Sequence, residues 1–99
     1  MSYRVRYTRQ ARADLQRLFA FLLQSDATAA KRARAAIGKA MRVLEDFPFT
    51  CRKAAADTPL LRELLISFGA GGYVALFEID DAQTVTILAW RHQREEDFV

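Results

Sequence analysis

The only histidine of the chain, His92, lies in the segment Trp90-Arg91-His92-Gln93-Arg94, directly after an apolar, β-branched run. Metal-independent RNA cleavage through a 2′-hydroxyl needs a base, an acid and a cation that holds the phosphate. A histidine can act as acid or base near neutral pH, and Arg62, Arg91 or Arg52 can hold the phosphate. The residue types therefore permit a nuclease site made of Arg62, Arg91 and His92.

The same residues also have a structural interpretation. A lone histidine beside arginines and acidic residues is more often a group that hydrogen-bonds within the fold than a catalytic one. Arg62 opens one predicted strand and His92 follows the strand after next. In an antiparallel meander these two termini lie at opposite ends of the sheet, unless register or a bend brings the side chains together. Whether the two residues meet is left open by the sequence.

Composition excludes several classes of protein. A single cysteine, Cys51, provides neither a disulfide nor enough ligands for zinc, so we expect no metal and no cofactor. The longest apolar run, Leu18 to Leu23, is too short to cross a membrane, and no signal-peptide pattern opens the chain. We expect one domain over residues 1–99, in the cytoplasm, without a membrane partner.

Charge divides the chain into two halves. Residues 1–56 hold twelve Lys and Arg against four Asp and Glu, a net charge of +8, whereas residues 57–99 hold three against eight, a net charge of −5. The first half is therefore expected to attract an acidic partner or nucleic acid, while the second offers little general attraction to phosphate.

The first half reads as a strand followed by two helices. Alternation from Tyr3 to Tyr7 predicts a strand, and Thr8 is placed to cap a helix that runs to about Gln24. Ser25 or Asp26 is the expected cap of the second helix, and Pro48 ends it. The apolar positions predicted to face the core are Ala11, Leu15, Leu18, Phe19, Leu22, Ala30, Ala33, Ile37, Ala40, Met41 and Leu44.

The outer side of the second helix is basic. It is either a solvated face or a docking surface, and the aromatic side chains near the carboxyl end are either core residues or anchors for a partner. The predicted partner-binding residues are Lys31, Arg32, Lys39, Arg42, Arg94, Trp90 and Phe98.

A loop of about a dozen residues precedes three strands, Leu61–Ser67, Gly72–Ile79 and Thr84–Trp90. Short turns at Phe68-Gly69-Ala70-Gly71 and Asp80-Asp81-Ala82-Gln83 predict an antiparallel meander. The fold class is α+β with the order β-α-α-β-β-β, a helical hairpin packed on a twisted, mainly antiparallel four-stranded sheet. The first strand is expected at an edge or beside the last strand.

Four segments carry a resemblance to a known family. They are Tyr7 to Leu15 with its Ala-x-x-Asp-Leu pattern, Leu44-Glu45-Asp46-Phe47-Pro48, Leu61-Arg62-Glu63-Leu64 and Arg91-His92-Gln93-Arg94. In this order and spacing they resemble the RelE/ParE toxin superfamily of type II toxin-antitoxin and plasmid stabilisation systems. The resemblance implies a toxin that is neutralised by a cognate antitoxin, whose segment folds across the basic helices in a hetero-oligomer.

Two activities divide that superfamily, and the resemblance leaves both open. RelE-like members are ribosome-dependent endoribonucleases that cut messenger RNA, which would make Arg62, Arg91 and His92 catalytic. ParE-like members inhibit DNA gyrase and are not enzymes in this sense. The chain has no lysine after Lys53 and no tyrosine near its end, which favours the ParE-like interpretation. A non-toxic interaction module is the third alternative.

Overall fold

The computed structural model describes residues 2–68 and 71–94. Its helices and strands, in chain order, are β1 (Arg4–Tyr7), α1 (Arg9–Ser25), α2 (Ala27–Asp46), β2 (Arg52–Lys53), β3 (Leu61–Phe68), β4 (Gly71–Ile79) and β5 (Thr84–His92). Both helices pack on one face of a five-stranded sheet with the order β1-β5-β4-β3-β2. The predicted α+β class and helical hairpin are confirmed.

The helix ends follow from capping side chains. The Thr8 hydroxyl oxygen accepts the Ala11 amide at 3.0 Å, which satisfies one of the free N–H groups that open α1. Asp26 does the same for α2, since its carboxylate accepts the amides of Thr28 and Ala29 at 2.9 and 3.2 Å. Pro48 begins a short 3-10 turn after α2. The caps predicted at Thr8 and Asp26 are confirmed.

The sheet is antiparallel except at one edge. The edge strand β1 pairs in parallel with β5, so that Arg4 lies opposite Thr84 and Tyr7 opposite Ile87. As predicted, β1 lies at an edge of the sheet, and it also lies beside the last strand. The prediction of four strands is wrong by one, because Arg52 and Lys53 form β2 against the start of β3. A strand of two residues has no alternation that a sequence pattern can detect.

An irregularity interrupts the pairing of β4 with β5. Leu76 lies opposite Ala89 but Phe77 lies opposite Ile87, so Leu88 is an extra residue in β5. Beyond this bulge β5 continues to His92, two residues further than predicted. The bulge decides which face of the sheet each residue of the carboxyl-terminal segment occupies.

The core lies between the helices and the sheet. Its largest fully buried side chains include Trp90, Phe77, Leu44 and Ile87. The turn predicted around Gly69 and Ala70 lies outside the described residues. Within the described part of the chain, no helix is long and apolar enough to cross a membrane.

Candidate partner-binding site

The three candidate catalytic residues lie on two faces of the sheet. His92 pairs with Tyr73, whose side chain belongs to the core on the helix-covered face. Arg91 pairs with Val74 and therefore belongs to the opposite face, because neighbouring residues in a strand point to opposite sides. The sheet itself thus separates the Arg91 and His92 side chains.

Arg62 shares the helix-covered face with His92 but lies at a distance from it. Arg62 is opposite Phe77, whereas His92 is level with Ile66, four residues further along β3 and two strands away. At ordinary strand geometry this is roughly 13 Å along the strands and about 10 Å across them. The three residues do not converge on one phosphate group.

The Arg62 guanidinium is occupied by the loop before β3. Its Nε donates to the Pro59 carbonyl at 2.8 Å, and one terminal nitrogen donates to the carbonyls of Phe49 and Cys51 at 3.1 and 2.8 Å. The same guanidinium lies 5.3 Å from the centre of the Phe49 ring. Arg62 therefore fastens the long loop to the sheet.

The His92 ring is also held within the fold. It packs edge-on against the Tyr73 ring at a centroid distance of 5.9 Å. Its Nδ1 accepts the Arg94 amide at 3.1 Å, and a Cβ added at Gly71 would lie only 3.0 Å from its Cε1. These contacts support the structural interpretation of the histidine.

Asp14 has a structural role that was not predicted from the sequence. This carboxylate is only 3 % exposed; it accepts the Trp90 amide at 3.0 Å and the Gln10 side-chain amide at 2.7 Å. Thr8 donates its hydroxyl to the neighbouring Leu88 carbonyl at 2.9 Å. The pairing of β1 with β5 ends at Ile87. Beyond that point, Thr8 and Asp14 at the start of α1 supply hydrogen-bond partners for the backbone of β5. The sequence signal for this role is a charged residue, Asp14, on the predicted buried side of the first helix.

A groove of about 710 Å³ lies between α1 and α2 and is called here the helical groove. Its lining residues are Tyr7, Leu15, Phe19, Leu23, Ala27, Ala30, Lys31, Arg34, Ile37, Gly38 and Met41. On its floor the Tyr7 hydroxyl donates to the Met41 sulfur at 3.4 Å. An apolar floor with a cationic rim suits an amphipathic segment that carries acidic side chains.

Tyr7, which lines the groove, is partly buried. Burial raises the pKa of the Tyr7 phenol, and the nearby Arg12 guanidinium, 5.9 Å from the ring centre, opposes that rise. A second hollow of about 340 Å³ shares Tyr7, Leu15 and Phe19 with the groove and reaches Arg12. The apolar surface therefore continues past α1 to a further cation.

The predicted basic residues of α2 separate into two groups. Lys31 lines the helical groove together with Arg34. Arg32 and Lys39 fall on the other side of α2 at about 100° per residue, with Arg42 between them and Lys31. All five side chains are exposed, and no hydrogen bond or ion pair engages them within the described chain.

The remaining predicted partner-binding residues have different positions. Trp90 is completely buried in the core, so its assignment to a partner-binding surface does not hold for the folded domain. Arg94 is exposed and uses its backbone amide to bind His92. Phe98 lies outside the described residues. Of the predicted set, only Lys31 lines the groove.

Comparison with known proteins shows a family to which the chain is similar. The model of the family described as the ParE toxin of the type II toxin-antitoxin system parDE matches residues 5–97. A chain from the chromosomal ParDE TA system of P. aeruginosa has the same fold, with a TM-score of 0.64 and 21 % sequence identity over 95 % of this chain and 97 % of that chain. No curated protein matches the sequence.

Proposed function

Because this chain belongs to the ParE toxin family of type II toxin-antitoxin systems, we propose that it arrests bacterial growth in the cytoplasm by inhibiting DNA gyrase and that a cognate antitoxin neutralises it. The observation that carries the choice of target is the separation of Arg62, Arg91 and His92 on the sheet. Without a shared phosphate site, these residues do not form the constellation that RNA cleavage requires.

The helical groove supports the proposed antitoxin. It combines apolar lining with two cations, and Leu23 on its wall is 60 % exposed, which leaves apolar area for a partner to cover. An antitoxin segment with one apolar and one acidic side would bury that area and pair with Lys31 and Arg34. The net charge of +8 on residues 1–56 would speed its approach.

The target is tested by inducing the chain without its antitoxin, then measuring supercoiling by purified gyrase and the integrity of ribosome-bound messenger RNA in parallel. We expect blocked supercoiling and intact message. Cuts at defined codon positions with normal supercoiling would replace the proposal by the RelE-like activity.

His92→Ala separates a catalytic role from a structural one. The proposal predicts that the variant still arrests growth, because the ring supports the strand end and touches no substrate. Circular dichroism establishes that the variant is folded. Loss of arrest in a folded variant would make His92 a catalytic residue.

The antitoxin site is tested with matched pairs of exposed residues. Leu23→Arg is expected to weaken binding of the antitoxin encoded beside the toxin gene by about tenfold or more, since it removes an apolar contact. Phe21→Arg is the control, because Phe21 is 71 % exposed on the same helix but does not line the groove. Lys31→Glu and Lys39→Glu form a second pair. Equal effects within each pair, measured by calorimetry, would remove the groove from the interface.

A further inference from the structure

The outer arc of α2, formed by Arg32, Lys39 and Arg42, is not accounted for by the helical groove. None of the three lines the groove, all are exposed, and no ion pair within the described chain engages them. Between Asp26 and Glu45 the helix holds no acidic residue. A cationic surface therefore persists after a groove-bound partner has been seated.

We propose that the outer arc binds the phosphate backbone of a nucleic-acid duplex. The three cations span about 15 Å of one helix side, at a rise of about 1.5 Å per residue. The residue among them, Ala35, is small and exposed, so a rod-like polyanion can approach the helix closely. Duplex DNA carries about one charge per 1.7 Å of its axis and attracts such a surface without regard to sequence.

The absence of apolar side chains on the arc favours a polyanion over a protein. Stable protein interfaces are built round buried apolar or aromatic anchors. Within the described chain the exposed large apolar residues are Phe21, Leu23, Phe47, Phe49, Leu60 and Leu65, and none belongs to α2. For the same reason the arc favours a duplex over a single strand, which is held largely by stacking on aromatic rings.

The inference goes beyond gyrase inhibition and antitoxin binding, and its test uses neither partner. Binding of a short fluorescein-labelled DNA duplex of mixed sequence is followed by anisotropy at several salt concentrations. Three phosphate contacts predict a log–log salt slope of about −2.7, which corresponds to an affinity loss of about 40-fold between about 50 and 200 mM salt. In the variant Arg32→Glu/Lys39→Glu the slope is expected to flatten by about 2.

The control is Arg4→Glu/Arg6→Glu, which makes the same change of net charge, from +3 to −1, on exposed residues of β1. We expect it to retain most of the affinity and the full slope. Equal losses in the two variants would mean that net charge alone binds the duplex, and the proposal would be wrong. The corresponding glutamine pairs repeat the comparison if either reversal prevents folding.

Two competitors decide the nature of the ligand. Unlabelled duplex is expected to displace the probe at a lower concentration than polyglutamate does, when both concentrations are expressed as moles of negative charge. Equal displacement by polyglutamate would assign the arc to acidic polypeptides instead, and tighter binding of the separated single strand would assign it to a stacking site. Either result would overturn the proposal.

Discussion

The side chains that fasten loops and helix α1 to the sheet and the cations of α2 are used in opposite ways. Asp14 and Arg62 are engaged by backbone groups, and the His92 ring is packed within the fold. On α2, by contrast, five exposed cations have no ionic partner within the described chain. The residues whose chemistry first suggests catalysis serve the architecture, whereas the less distinctive lysines and arginines remain available for a partner.

An ionic group without a partner in the fold is better evidence of a binding surface than a reactive residue type is. A charged group that already holds backbone carbonyls or amides must give up those bonds before it binds anything else. A charge on a solvated helix side gives up only water. Substitutions in the two sets should therefore fail in different ways, the first by losing stability and the second by losing a partner.

The largest expected loss of stability follows Asp14→Ala. The change removes two hydrogen bonds and leaves the buried Trp90 amide unsatisfied. We expect the free energy of unfolding to fall by roughly 2–4 kcal/mol, measured by urea denaturation. Asp14→Asn keeps a carbonyl acceptor and should lose less. If both variants melt like the wild type, Asp14 does not hold the edge of β5.

A smaller loss is expected for Arg62→Ala, with Arg52→Ala as its control on the adjacent strand. Arg62 holds three carbonyls, so its removal should cost roughly 1.5–3 kcal/mol. The half-exposed Arg52 donates from Nε and from a terminal nitrogen to one Glu63 oxygen at 2.9 Å and holds no backbone carbonyl with its side chain, so its removal should cost about 1 kcal/mol or less. A folded, fully stable Arg62→Ala variant that no longer arrests growth would instead make Arg62 a functional residue.

The smallest effect is a loss of stability at alkaline pH. Burial raises the pKa of the Cys51 thiol above its ordinary value of 9.0 and that of the Tyr73 phenol above 10.0. Both groups are neutral when protonated, so the unfolded chain releases these protons at lower pH than the folded one. Their contribution is complete below the ordinary pKa values and is lost as pH rises through the raised ones.

Thermal melts between about pH 8 and about pH 11 measure this loss. Cys51→Ala should remove its earlier part. Tyr73→Phe should remove only a share of its later part, because burial also raises the pKa of the Tyr7 phenol. A stability that stays constant over the whole range would show that neither group is protected in the folded state.

The elements of the fold could be predicted from local patterns. Thr8 and Asp26 cap their helices as expected because capping depends on a few neighbouring residues. The apolar spacing that placed Ile37 and Leu44 in the core depends equally on one helix at a time. The structure agrees with the predictions that depended only on the residue pattern within one helix or strand.

The arrangement of the site depends on contacts between distant elements, which those patterns do not contain. The bulge at Leu88 and the extension of β5 to His92 are set by pairing with β4. Asp14 is needed only because β1 is too short to cover β5. The helical groove is lined by residues of both α1 and α2 together with Tyr7, and no single helix pattern reports the space between two helices.

The parallel pairing of β1 with β5 has a consequence for how the molecule is made. It joins two strands that are 80 residues apart in the sequence, and the Thr8 hydroxyl donates to the Leu88 carbonyl over the same separation. Contacts so distant in sequence form slowly, and the amino-terminal elements leave the ribosome first. Any product that stops before residue 84 lacks the strand that connects β1 to β4. Closure of the sheet therefore has to wait for the synthesis of β5, and only then can Tyr7 reach its place under the helical groove.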